Sequence, residues 1–328
     1  MYAKHYKIFL LIFSLFFLLT SCESDEYSVP EANTKFQNDG IKRTLGPNLV
    51  GLDIELAYAM ALGCDRGNIL SAEVEASISG ATGTFLEHRS FHTDNGGNDV
   101  GVVIGEPSST TGNTTKVKFS VDTCAATLRY YYIIPEEARG KSVSFTFSST
   151  ASTGERVSHQ MGPYKIAKMD FKRDIVLSEN DKCYFSIADM EVYNESEALL
   201  KPDMIDLVYL YRPIPGISFN HALVSPDTDA EILQEKILPP SINNTTLIQK
   251  VYGLQDRHLA RLQYGIYVDD TDFETLNISD APNYSIDLRA EYGTWIQTND
   301  NKYRAYVYIN KVDDAAKTMT ISVKRYKM

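Results

Sequence analysis

Several things are scarce in this chain. Only one tryptophan and four cysteines occur in 328 residues, and no two cysteines stand at Cys-x-x-Cys spacing, which argues against a zinc site of paired thiolates. Positive charge is in the minority, 32 Lys and Arg against 43 Asp and Glu. A net charge of −11 disfavours any protein that tracks a phosphate backbone, so no nucleic-acid partner is expected. With 19 glycines and 12 prolines, collagen-like and low-complexity classes are excluded. No Gly-x-Ser-x-Gly elbow, His-Glu-x-x-His pair, phosphate loop or dinucleotide fingerprint is present. Beyond His5, the histidines at 88, 92, 159, 221 and 258 make no ligand-like spacing. The sequence therefore assigns no catalytic residue, no metal and no cofactor.

What is present begins at the N-terminus. Lys4 and Lys7 precede an apolar run over residues 8–19 interrupted only by Ser14, too short to span a bilayer and suited to a secretory signal. Leu19-Thr20-Ser21-Cys22 matches a bacterial lipobox, in which the Cys22 thiol accepts a diacylglyceryl group. Residues 1–21 read as a lipoprotein signal peptide and Cys22 as the lipidation site. Acyl chains at about 0.8 kcal/mol per buried methylene would then hold the protein to a membrane. Loss of residues 1–21 removes Lys4 and Lys7 and no acid, which makes the exported part still more acidic. Glu23-Ser24-Asp25-Glu26 resembles the acidic tags that send Bacteroidetes lipoproteins to the outer face of the outer membrane. The expected location is the outer membrane, lipid-anchored and facing the exterior. Residues 22–47 are polar, without a sustained apolar period, and read as a tether.

Acylation of Cys22 leaves Cys64, Cys124 and Cys183, an odd number that forbids complete pairing. Cys64 and Cys124 both sit where strands end, so a bridge between them is one option and two free thiols the other. Cys183, in Lys182-Cys183-Tyr184-Phe185, suits a buried thiol acting as a small hydrophobe.

The chain reads as mainly β in two domains. Residues 48–169 hold short strand-like runs, at 72–78, 116–121, 128–134 and 142–147, separated by Gly, Asn, Thr and Ser clusters, as in an immunoglobulin-like β-sandwich. Residues 53–62 are read as a further strand despite helix-forming composition, and 135–141 as an exposed hairpin-like connection. Residues 170–328 form a second β-rich domain, a sandwich or jelly-roll-like fold, with a central strand at 205–211 and short helices within 229–238 and 272–276.

The last two runs, 303–312 and 318–326, alternate cleanly about a five-residue loop. Setting Val312 opposite Thr318 gathers Tyr303, Ala305, Val307, Ile309, Met319, Ile321 and Val323 on a core face. The other face carries Arg304, Tyr306, Tyr308 and Asn310 beside Thr320, Ser322, Lys324 and Tyr326. Flat rings among hydrogen-bonding groups suit stacking on sugars, so Trp295, Arg304, Tyr306, Tyr308 and Tyr326 form the candidate ligand-binding set. The competing reading is structural, with cross-strand tyrosines stabilising a sheet that another layer covers. Asp269-Asp270-Thr271-Asp272, the densest acidic run outside the tether, reads as a turn or helix cap rather than a hydrolytic carboxylate pair. Residues 92–99 read as a surface loop rather than a calcium site.

Ser71-Ala72-Glu73-Val74-Glu75-Ala76-Ser77-Ile78, residues 131–147, Lys182-Cys183-Tyr184-Phe185-Ser186-Ile187 and residues 205–212 resemble a family of two-domain outer-membrane lipoproteins of unknown function from gut Bacteroidetes. The likeness covers most of residues 45–328. It implies an accessory member of a polysaccharide-utilisation system, working beside an outer-membrane transporter and glycan-binding lipoproteins, and it brings no site residue with it. The expected role is non-catalytic binding in glycan or nutrient acquisition. A surface glycoside hydrolase or other hydrolase, and an adhesive or structural subunit, are the alternatives.

Overall fold

Alternating side chains decide the architecture. The computed structural model describes residues 33–233 and 236–328, so the lipobox and Cys22 lie outside the described residues. The first domain contains β1 (Gln37–Lys42), β2 (Asp53–Ala61), β3 (Ile69–Ala76), β4 (Phe85–Leu86), β5 (Arg89–Thr93), β6 (Asp99–Val103), β7 (Ser109–Thr111), β8 (Thr114–Lys118), β9 (Ala125–Ile133), β10 (Ser142–Ala151) and β11 (Arg156–Lys165). One sheet runs β1-β2-β9-β4, the other β11-β10-β3-β8-β7, and β5 and β6 form a separate ribbon. Every second residue of the long strands points into the space between the sheets: Ile54, Leu56, Tyr58 and Met60 from β2, Leu128, Tyr130 and Tyr132 from β9, Val143, Phe145 and Phe147 from β10. The residues read as a strand at 53–62 are thus a core strand.

Two local expectations change, and one open choice is decided. Residues 37–42, read as tether, form an edge strand whose whole length pairs with β2. The 135–141 connection is not a hairpin, because β9 and β10 belong to opposite sheets and a short 3-10 turn at Glu136–Ala138 carries the chain across. Cys64 and Cys124, 60 residues apart, are bridged, with Leu62 N–H donating to the Cys124 carbonyl at 2.8 Å beside the bond. Cys183 is a free, buried thiol, as expected.

The second domain comprises β12 (Asp170–Ser178), β13 (Tyr184–Ser186), β14 (Glu191–Tyr193), β15 (Leu207–Arg212), β16 (Asn220–Val224), β17 (Leu247–Tyr252), β18 (Tyr284–Leu288), β19 (Tyr292–Gln297), β20 (Tyr303–Asp313) and β21 (Thr318–Lys327). Two five-stranded antiparallel sheets, β12-β21-β20-β19-β17 and β14-β13-β15-β16-β18, face each other across a core that includes Val307, Ile309, Ile321 and Val323. In β20 and β21 the expected register holds from Tyr303 to Ile309. A bulge at Asn310 then shifts it by one, so Thr318 faces Asp313 and Val312 faces Met319. Asn310 is held by Ser322 Oγ at 2.7 Å and donates to the Leu259 carbonyl at 3.0 Å, an interaction two strands alone do not specify.

Asp206, just before β15, is 7% exposed and accepts the Ile187 N–H at 2.7 Å. Burial raises its carboxyl pKa to about 7, with the backbone bond pulling the other way. The folded chain therefore holds this proton more tightly than the unfolded one. The associated stability is fully present below about pH 4 and is lost as pH climbs through about 7. Asp206→Asn is expected to abolish that loss and to be more stable than the parent at pH 8, by on the order of 2–4 kcal/mol. Urea unfolding at pH 4, 6 and 8 checks it; parallel pH profiles for the two proteins would refute it.

Phe36–Met328 form one compact unit, and the seam between its sandwiches is densely bonded. The buried Asp270 carboxylate accepts the backbone N–H groups of Lys168 and Met169 at 2.9 and 3.2 Å. Arg139, from the first sandwich, reaches Asp170 at 2.6 Å and donates to the Lys168 and Met169 carbonyls, while Arg325 pairs with Asp170 from the other side.

Candidate ligand-binding surfaces

The face of β20 and β21 read as a binding platform is not open. Residues 254–275 fold across it, and Tyr306, Tyr308 and Tyr326 become part of a third apolar cluster with Leu49, Met169, Leu259, Val268 and Phe273. Their exposures are 0%, 4% and 5%, which leaves no ring face for a ligand. Tyr306 donates to the Leu254 carbonyl at 2.5 Å and Tyr326 to Glu274 at 2.8 Å, while Tyr326 stacks on Phe273. Trp295 packs 4.8 Å from the Tyr306 ring and 5.5 Å from that of Phe273. Arg304 turns its guanidinium to the Phe273 and Glu274 carbonyls and to Gln297, closing the end of the short helix Asp270–Thr275. Gly293 makes the closeness possible, since a Cβ there would meet the Tyr306 hydroxyl at 2.3 Å.

Beneath this layer lies an ion pair that spacing did not announce. Lys324 and Asp256, both fully buried, meet at 2.7 Å. The lysine also donates to the Val268 carbonyl at 2.7 Å. Asp256 accepts from Leu259 N–H at 3.0 Å and Val268 N–H at 2.6 Å, so one carboxylate caps a helical turn, fastens a loop and neutralises the cation. Neighbouring His258 is pushed toward the neutral form, first by burial and then by the nearby Lys324 charge.

Other residues that could have carried chemistry are engaged in the fold. Asp269 caps the helix Asp270–Thr275 in a capping box with Asp272. His221 lies in the second core between the Tyr209 hydroxyl at 2.7 Å and Asp314 at 2.8 Å. Asp94 closes the β5–β6 turn by accepting the Gly96 and Asn98 N–H groups, both at 2.8 Å. Among the described residues no group of three or more His, Cys, Asp or Glu is placed to hold a metal ion.

The first sandwich does present an open groove, of about 600 Å³. Its floor is made by Ala59, Ala61 and Ala125, small side chains on the outward face of β2 and β9. Gln37 and Asp39 of β1 form one wall, and Ser90 and Thr127 the other, with Ser90 Oγ accepting the Thr127 N–H at 3.0 Å. Past one end, Arg129 sits on the Phe91 ring and pairs with Asp99 and Glu55, tying the ribbon to the sheet. A smaller cleft of about 280 Å³ opens at the seam, bounded by Asn48, Tyr164, Lys165 and Asp269.

Two sandwiches, each of two facing antiparallel sheets around its own apolar core, define a tandem β-sandwich protein. The domain of unknown function DUF4466 matches residues 33–166, and the domain of unknown function DUF8576 matches residues 167–328. The crystal structure of a DUF4466 family protein from Parabacteroides merdae is 46% identical to this chain, covering 90% of it and 99% of its own length with a TM-score of 0.83. The chain belongs to the DUF4466 family. The major pilin subunit of Bacillus cereus is 8% identical over 87% of this chain and 63% of its own, with a TM-score of 0.28. A GH20 exo-β-N-acetylglucosaminidase from Vibrio harveyi is 10% identical over 46% and 24%, with a TM-score of 0.19. Neither of these last two bears on fold or activity. No curated protein matches the chain.

Proposed function

We propose that this protein is a lipid-anchored cell-surface component that captures a polysaccharide or related nutrient without transforming it, in company with an outer-membrane transporter. The observation that carries this reading is the use made of its titratable side chains. Asp256, Lys324, Asp270 and His221 are all committed to internal bonds, while the groove over Ala59, Ala61 and Ala125 is bordered by amide, hydroxyl and carboxylate groups of the kind that meet sugar hydroxyls. Export is supported by the Leu19-Thr20-Ser21-Cys22 motif and by the Cys64–Cys124 bridge, since disulfides persist in oxidising compartments. Anchoring places the body at the envelope, and the acidic stretch after Cys22 favours its outer face.

The test uses the full chain expressed in a Bacteroidetes host. Wild type is expected in the membrane fraction, labelled by radioactive palmitate and degraded when intact cells meet an added protease. Cys22→Ala is expected to lose the label and leave the membrane fraction. An unlabelled wild type would overturn the anchoring. Conversion of a glycan panel by the purified chain would overturn the non-catalytic role.

A further inference from the structure

An exposed aromatic pair lies elsewhere than the β20–β21 face. Tyr252, the last residue of edge strand β17, is 67% exposed and sits opposite Tyr292 of β19, with ring centroids 4.9 Å apart in an edge-to-face arrangement. Lys250, two residues earlier and so on the same face, places its ammonium 5.2 Å from the Tyr252 centroid and 5.1 Å from that of Tyr292. The same ammonium donates to the Ile286 and Asp287 carbonyls at 2.7 and 2.9 Å, which ties β17 to β18 of the opposite sheet. This is the open mouth of the second sandwich. Asp287 grips the Arg289 guanidinium through Nε at 3.3 Å and Nη2 at 3.0 Å, and Asn220 Nδ2 donates to Asp287 at 3.1 Å.

We propose that this mouth is a carbohydrate subsite, with one pyranose ring resting on Tyr252 and its hydroxyls meeting Arg289 and Asp287. The assignment rests on the nutrient-capture reading above and adds to the first-sandwich groove a second point of contact. A sugar ring offers a patch of C–H bonds to an aromatic face and a rim of groups that both donate and accept. Tyr252 supplies the face, Arg289 the donors and Asp287 the acceptor. The Asp287 pairing engages Nε and Nη2 and leaves the Nη1 donors out of that contact. Holding these groups beforehand lowers the ordering cost of binding: Tyr292 and Lys250 restrain the platform, and Asn220 and Arg289 restrain the carboxylate. An apolar helix is a poorer fit, because two tyrosine rings among four charged or amide side chains offer no extended apolar groove.

The experiment is affinity electrophoresis of the detergent-solubilised full chain through gels containing a neutral glucan, a mannan, polygalacturonate or chondroitin sulfate. Wild type is expected to be retarded by at least one of them. Tyr252→Ala should then bind about tenfold more weakly, and Tyr252→Phe, which keeps the ring, should bind within about twofold of wild type. Arg289→Ala should also weaken retention, with unchanged thermal melting in all three variants because both positions are exposed. Retardation of Tyr252→Ala equal to wild type would overturn this subsite and leave nutrient capture standing. Failure of every polysaccharide to retard wild type would overturn the capture reading itself and this subsite with it.

Discussion

Asp256→Ala should destabilise the second sandwich by about 3–5 kcal/mol, because it strands a lysine that has no route to water. Lys324 and Asp256 are each fully buried, and the aspartate also serves Leu259 N–H and Val268 N–H, so its loss removes three bonds at once. Lys324→Met should cost less, since the carboxylate keeps its two backbone donors. The pH dependence separates this account from simple loss of packing. Burial already lowers the Lys324 pKa, and without Asp256 the folded state prefers the neutral amine still more. The unfolded chain then binds more protons than the folded one, so the stability of the variant rises with pH up to the ordinary lysine range. The deficit measured in urea at pH 9.5 should be smaller than at pH 7. A deficit below about 1 kcal/mol, or one that does not change with pH, would refute the pairing described here.

Removing the Cys64–Cys124 bridge by a double serine substitution should cost about 4 kcal/mol, the chain-entropy value for a closed loop of some 60 residues. The bond joins the turn after β2 to the residues leading into β9, so the direct loss falls on the first sandwich. The lone tryptophan reports on the other domain, because Trp295 packs against Tyr306 and Phe273. If the Asp270 and Arg139 contacts couple the sandwiches, Trp295 fluorescence should shift at a lower urea concentration in the serine variant than in the parent. An unmoved Trp295 transition accompanied by early loss of first-domain amide protection would show that the two unfold separately.

Much of the β architecture could be read from alternation. Residues 53–62 and the core face of β20 and β21 were visible as strands because a period of two survives even where composition favours helix. Alternation tells which side chains share a face and is silent on what covers it. The covering residues 254–275 contain helices of only four and six residues, Arg257–Ala260 and Asp270–Thr275, too short for a periodic signature. Alternation alone therefore leaves Tyr306, Tyr308 and Tyr326 undecided between a binding face and a covered one. The Lys324–Asp256 contact joins residues 68 apart, and nothing local marks either one. β1, Gln-Asn-Asp-Gly-Ile-Lys, lacks apolar alternation because it is an edge strand defined by its backbone pairing to β2. The disulfide was underdetermined for a simpler reason: three remaining thiols permit three different pairs. Tyr252 ends a strand without any motif, and only the tertiary fold brings Arg289 and Asp287 beside Lys250.

The Asp270 clamp and the Arg139–Asp170–Arg325 chain have a mechanical consequence. They fasten residues 168–170, where one sandwich hands over to the next, to side chains of both, so bending at that passage would have to break charge-assisted bonds.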